Sequence, residues 1–252
     1  MASIWSYGLS SVASFVTYII NPTDNRSEIL SYQLFYPFDE LNYLLTAVIH
    51  LCAFGHFFQI VTLLMNQLLI YTTIYLSSCF DRLCENIRET INNTDQRSVA
   101  ETKQHWAKCV EIHEHLVLSA VTLNKLFGPF LVLFIVEASI LICFLGFMSI
   151  TEEPVVAATF FGAMINHLFD VFILCYIGEK LKTSSTDIAE EISRSDLHKV
   201  DKYTAKNVII MVSMSQRPIN LSAMGLFTYE HTNFSEVCSK SYSYMSILKR
   251  FY

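Results

Sequence analysis

Stretches free of Asp, Glu, Lys and Arg recur along the chain at lengths that suit a lipid bilayer. They are Met1–Thr23, Leu41–Phe80, Leu126–Val136 with Ala138–Thr151, and Pro154–Phe169 with Val171–Gly178; a weaker stretch runs from Pro218 to Leu248. A hydrocarbon core of about 30 Å needs roughly 20 apolar helical residues. Four stretches meet that length outright or with one interrupting acid, so the pattern predicts an all-α, polytopic transmembrane helical bundle. Expected spans are residues 3–20, 41–66 with a cytoplasmic extension to 80, 126–150, 155–178 and 230–250; residues 81–125 and 179–217 are expected in the cytoplasm.

Two stretches predict more than a span. Leu41–Phe80 is about 40 residues, or roughly 60 Å of helix, twice what the bilayer requires. Gly55 is its only Gly or Pro and lies too near the start to divide it. One long helix is therefore expected, its inner half packed against other protein. His105–Leu126 carries Trp106, Val110, His113, Val117, Ala120 and Leu123 near every third or fourth place, a helical pattern that would feed the third span from inside. With no internal repeat and no second domain, residues 1–252 read as one membrane domain.

Composition agrees: 52% of residues are hydrophobic, 16% are charged and the mean hydropathy is +0.38, unlike an ordinary soluble domain. The first segment lacks a basic leader and interleaves Ser and Gly, so it reads as the remains of a span rather than a secretory signal. Charge sets the orientation. Arg82, Arg88, Arg97, Lys103, Lys108 and Lys125 follow the second span, and Lys180, Lys182, Arg194, Lys199, Lys202, Lys206 and Arg217 follow the fourth. The connectors on the other side hold Arg26 alone. Lys and Arg accumulate on the cytoplasmic side of short loops, so the chain starts inside and ends outside, opposite to a rhodopsin-like receptor at its C-terminus. Asn25-Arg26-Ser27 is a glycosylation sequon on the permitted side. The seven cysteines lie in spans or on the reducing side, which points to free thiols.

The chain carries no Gly-rich phosphate loop, GxSxG, HExxH or CxxC, so neither an enzyme nor a bound cofactor is expected. Glu111, Glu114 and His115 stand at i, i+3 and i+4 on a polar helix, where solvated side-chain pairs explain them better than a metal does. Glu137 and Asp170, with His167 three positions before it, are ionisable groups inside spans. Such groups line a water path or form buried hydrogen bonds between helices. His50, His56, Gln59, Asn66 and Gln67 read as inter-helix contacts, with His50 the exception best placed to meet a ligand. The 13% aromatic content suits an apolar pocket and helix packing equally. The last helix, from Asn233, interleaves Ser and Tyr, so it must be shielded by protein or line water. Lys240, Tyr244, Ile247 and Phe251 fall on one stripe of it. As one wall of a pore, Ile247 and Phe251 would form an apolar constriction; the alternative is an amphipathic helix buried among its neighbours.

Several stretches resemble the insect odorant receptor family. Leu174-Cys175-Tyr176-Ile177-Gly178, with Leu181 and Ser184-Ser185, looks like the end of that family's sixth span. Met214-Ser215-Gln216-Arg217-Pro218-Ile219 is similar to its "RSQKPL" segment, and Phe234, Ser241-Tyr242-Ser243-Tyr244 and Ile247-Leu248 resemble its closing motif. Tyr36-Pro37-Phe38-Asp39 before Tyr43 is similar to the outer loop that enters the fourth span. The resemblance implies a subunit of a ligand-gated cation channel in the plasma membrane of sensory dendrites. It implies a heterotetramer with the olfactory co-receptor, small volatile hydrophobic odorants as ligands, and inverted topology. It places the gate at Ile247 and Phe251 and the pocket in the outer half, for which Trp5, Tyr43, Ala47, His50, Phe147, Phe160 and Met164 are the candidates. Residues 196–215 would belong to a cytoplasmic anchor. The family has seven spans and this chain about five, so a fragment starting near the third span is implied. Lys249-Arg250 departs from the less charged exit of the family. A gustatory receptor of the same superfamily, or a solute transporter using Glu137 and Asp170, are the alternatives. The first would show a TYxxxxxQF-like end and the second inverted repeats, and the chain shows neither.

Overall fold

The computed structural model describes residues 44–93, 98–194 and 202–251. Trp5, Tyr43, the first expected span and the Asn25 sequon lie outside the described residues. Four long helices dominate: α1 (Leu44–Asn92), α2 (Val99–Thr151), α3 (Pro154–Ser193) and, after a shorter α4 (Lys202–Ser215), α5 (His231–Phe251). Among the described residues three segments are long and apolar enough to cross a membrane: Ile60–Asn92, Val99–Thr151 and Pro154–Ser193. Hydroxyl groups inside them bond within their own helix: Thr73 and Ser77 donate to carbonyls one turn back, at 2.7 and 3.0 Å.

The basic connectors are largely helical. α1 runs on to Asn92, α2 starts at Val99 and α3 continues to Ser193, so most of 81–125 and 179–194 extends the spans as helix. Lys and Arg mark the side of the membrane but do not break a helix, which is why charge alone reads as a loop here. Local chemistry sets the ends. Ser98 and Glu101 form a reciprocal cap on α2, Ser98 N–H donating to Glu101 Oε2 at 3.0 Å and Glu101 N–H to Ser98 Oγ at 3.3 Å. Pro154 opens α3 at the one position where its missing N–H costs nothing.

Packing divides the chain into two compact units, Met1–Leu68 with Phe144–Leu168, and Leu69–Cys143 with Phe169–Tyr252. The second has a core drawn from four helices: Leu76, Phe80, Leu83 and Ile87 of α1, Trp106, Cys109 and Ala120 of α2, Leu181, Ile188 and Ile192 of α3, and Val208 and Met211 of α4. The α1 residues recur at helical spacing on one face. Burying each of the larger ones contributes about 1.5–3 kcal/mol. Arg88 ties α1 to α3 with two parallel bonds to Glu191, both 2.9 Å, and this pairing holds the Glu191 carboxyl below its ordinary range. In the first unit Phe57, Ile60, Val61, Leu64, Val155, Phe161 and Ile165 are exposed, the surface expected of helices solvated by lipid.

Between α4 and α5 lies a small antiparallel hairpin, β1 (Ser222–Ala223) and β2 (Phe227–Thr228), paired Ser222 with Thr228 and Ala223 with Phe227. Its turn holds Met224 at φ 53° and Gly225 at φ 77°, consecutive left-handed residues of the kind that match hairpin twist. Leu226 N–H closes the turn on the Ala223 carbonyl at 2.9 Å.

Candidate functional site

Helix α5 is the element whose surface does not suit lipid. No Gly or Pro interrupts it, and its last turn carries Lys249 and Arg250, where the helix dipole favours cations. Of its described side chains only Val237 and Ser241 are buried, and none beyond Ser241. Lys240, Tyr244 and Ile247 are exposed along one stripe, with Tyr242 and Leu248 also exposed; Phe251 ends the helix as a backbone position. Lys240 pairs with Glu236 at 2.7 Å. Ser243 and Ser246 donate to carbonyls of their own helix at 2.9 Å, but the ion pair and the tyrosine hydroxyls need water or protein around them.

The start of α5 is held by its neighbours. Tyr229, fully buried, donates its hydroxyl to the Leu131 carbonyl of α2 at 2.7 Å. Lys182 of α3 reaches Glu230 at 2.8 Å, and Glu179 accepts the His231 N–H at 3.4 Å. Phe234 stands edge-on to Phe172, ring centroids 5.5 Å apart. A Cβ at Gly178 would overlap the Tyr229 carbonyl oxygen, so backbone meets backbone there. On α2, the Asn124 amide donates to the Asn220 carbonyl at 2.8 Å and accepts the Ser222 N–H at 2.9 Å, pairing with the hairpin as a strand edge would.

Of the pocket candidates, Ala47 and His50 lie on α1, while Phe147, near the end of α2, and Phe160 and Met164, near the start of α3, are half-buried. All five fall in the first unit. Glu137 is exposed midway along the apolar part of α2, beside exposed Leu133, Val136 and Ile140, and has no hydrogen-bond or ion-pair partner among the described residues. Asp170 is also exposed and His167 half-buried. His56 and Gln67 are exposed rather than enclosed between helices of this chain, and Asn66 is half-buried; the His50 and Gln59 side chains lie outside the description. Sequence reasoning missed Asn124, Tyr229 and the tight spot at Gly178, though Gly178 lies in a quoted motif.

A model of the 7tm Odorant receptor family matches residues 1–242. This chain belongs to that family. It is similar to odorant receptor 85f of Drosophila melanogaster, 25% identical over 59% of this chain and 38% of that protein. It is also similar to odorant receptor 85c of the same fly, 20% identical over 99% of this chain and 64% of that one. The chain thus spans about two fifths to two thirds of the length of these curated relatives. Among solved structures it resembles the olfactory receptor OR5 of Machilis hrabei in complex with eugenol, at a TM-score of 0.79 and 11% identity over 99% of this chain and 63% of that one. The fold is therefore that of an insect olfactory receptor, a helical transmembrane bundle.

In this chain burial separates the residues of the Glu111-Ile112-His113-Glu114-His115 run. Glu111, Glu114 and His115 are exposed, and among the described residues no group of three potential ligands is placed to hold a metal. His113 turns inward beside a cavity of about 420 Å³ lined by Val117, Ser185, Ser215, Arg217 and Ile219. Two hydrogen bonds join lining residues: His113 Nε2 with Ser215 Oγ at 2.9 Å, and Ile219 N–H donating to Ser185 Oγ at 3.2 Å. The described cysteines are free.

Burial also holds the His113 imidazole below its ordinary 6.5. The unfolded chain then takes the proton more readily than the folded one, so stability from this group is complete above about pH 6.5 and is lost as the pH falls through that value. Thermal melts should show a larger loss between about pH 7.5 and 5.5 for the wild type than for His113→Gln. Equal losses would mean that another group sets the acid sensitivity.

Proposed function

We propose that this receptor chain is a subunit of an odorant-gated, non-selective cation channel, with α5 supplying its share of the pore wall. The observation that carries the reading is a 21-residue helix in a transmembrane bundle with a largely exposed, hydroxyl- and charge-bearing surface. Such a surface requires water or other subunits against it. Exposed Ile247 gives that wall an apolar ring position where a pore closes by dewetting. The Glu236 carboxylate beside Lys240 offsets the positive charge that would repel cations. Glu137, exposed and mid-span, suits a water-facing or subunit-facing side of α2.

The thirteen basic residues on alternate connectors, against Arg26 alone on the others, support a cytoplasmic anchor and an extracellular C-terminus. The ligand is a small volatile hydrophobic molecule, held in the outer half by Ala47, His50, Phe147, Phe160 and Met164 together with Trp5 and Tyr43. The partner is the olfactory co-receptor, in a heterotetramer of the sensory-dendrite plasma membrane.

Cells expressing the chain with the co-receptor should pass a non-selective cation current on odorant exposure, over that of either chain alone. If odorants evoke no current while the chain alone takes up a labelled solute, the channel reading is wrong and a transporter replaces it.

A further inference from the structure

α5 is fastened at one end. Beyond Ser241 none of its described side chains is buried, whereas the turn that leads into it is held on two sides. The hold on α2 consists of the Asn124 amide, bonded to the Asn220 carbonyl and the Ser222 N–H, and of the Tyr229 hydroxyl on the Leu131 carbonyl. The hold on α3 consists of the Gly178 backbone contact, the Lys182–Glu230 pair and the Phe172–Phe234 edge contact. The connection between the two is a hydrogen-bonded hairpin. The hairpin is closed by a two-residue left-handed turn, and Tyr229 N–H extends its ladder to the Leu221 carbonyl at 2.9 Å. α2 and α3 also carry Phe147, Phe160 and Met164 on their other ends, so each is one continuous helix from pocket candidate to hairpin.

We propose that Asn124 and Tyr229 are positioning residues for the pore helix: through the hairpin they tie the start of α5 to α2, so that a ligand-driven shift of α2 or α3 moves the pore wall. This rests on the channel reading of α5. A ligand shifts a conformational equilibrium only by the difference in its interaction with the two states. The segment that leads into α5 bonds α2 at Asn124 and at the Leu131 carbonyl and meets α3 at Gly178, so a shift of either helix is passed to the start of α5. A tyrosine hydroxyl fits the task. Buried, it requires an acceptor, and the Leu131 carbonyl offers a second lone pair while keeping its own helical partner. Tyr229→Phe therefore strands no buried polar group, and the variant folds.

The test has two arms on Tyr229→Phe and Asn124→Ala. In the first, the purified chain in nanodiscs is followed by backbone hydrogen exchange, which needs no channel activity. Amides of 233–241 should exchange at least about fivefold faster than in the wild type, with those of 76–87 in α1 unchanged. In the second, odorant-evoked current with the co-receptor is normalised to surface protein. The maximum per surface protein should fall at least about threefold while the half-maximal odorant concentration moves less than about twofold, the normalisation removing chains that fail to fold and reach the surface. Unchanged exchange in α5 overturns the proposal whatever the current does, and faster exchange with a wild-type maximum overturns the transmission it claims. A wild type without any evoked current removes the channel reading instead, and the exchange arm then still decides whether the two residues hold α5.

Discussion

Gly178→Ala is expected to destabilise the protein by about 1–3 kcal/mol or more, the range for forcing extra volume into a packed contact, and to lower its melting temperature by roughly 5 °C or more. The added methyl would overlap the Tyr229 carbonyl oxygen, with the Tyr229 side chain also in contact. A flexible side chain could swing aside, but this atom is backbone, held by the Tyr229 hydroxyl and the hairpin ladder. Relief would require the whole turn into α5 to back away from α3. Gly162, on the same helix, supplies the control, because a Cβ there meets nothing within 4 Å. Glycine in a helix interior costs about 0.5–1 kcal/mol relative to alanine, so Gly162→Ala should stabilise slightly. Fluorescence-detected melts of the two variants check the pair. Equal and small effects would show that α5 does not approach α3 as closely as described.

The same contact falls within the motif that carries part of the resemblance seen in the sequence. At Gly178 of the Leu174–Gly178 motif two backbones meet, and the Ser185 hydroxyl accepts the Ile219 N–H beside the Pro218 turn. Neither contact is visible from the residue types. Long helices were legible: α1 has no interrupting residue after Gly55, and the spacing of Trp106, His113 and Ala120 marks a face that is buried. His113 is a case where periodicity outweighed polarity, since it follows the apolar face while Glu111, Glu114 and His115 do not.

What failed to show has physical causes. Strands of two residues have no alternation to read, so the hairpin left only Gly225 as a signal inside a stretch that otherwise reads as weakly apolar. Asn124 and Tyr229 act on backbone carbonyls and N–H groups of distant segments, and such contacts leave no pattern in composition or spacing. The Ser98–Glu101 cap was present as Ser-x-x-Glu and could have placed the start of α2 inside the basic connector. For Glu137 the sequence located the acid in a span, but its exposure depends on how the neighbouring helices pack.

The largest functional effect is expected at Ile247. Its side chain is about half exposed, on the part of α5 that packs least against the rest of the chain. A membrane helix with that surface must adjoin water or another subunit. If it adjoins the conduction path, a cysteine there takes a charged thiol reagent in the conducting state, and the adduct places a fixed charge in a narrow pore. Cys238 lies on the same helix and is partly exposed, so the measurement needs Cys238→Ser as background. Current in Ile247→Cys channels should then fall by about tenfold or more on exposure to a cationic methanethiosulfonate, faster with odorant present than without. Full labelling of the introduced thiol at undiminished odorant-evoked current would contradict the assignment of α5 to the pore.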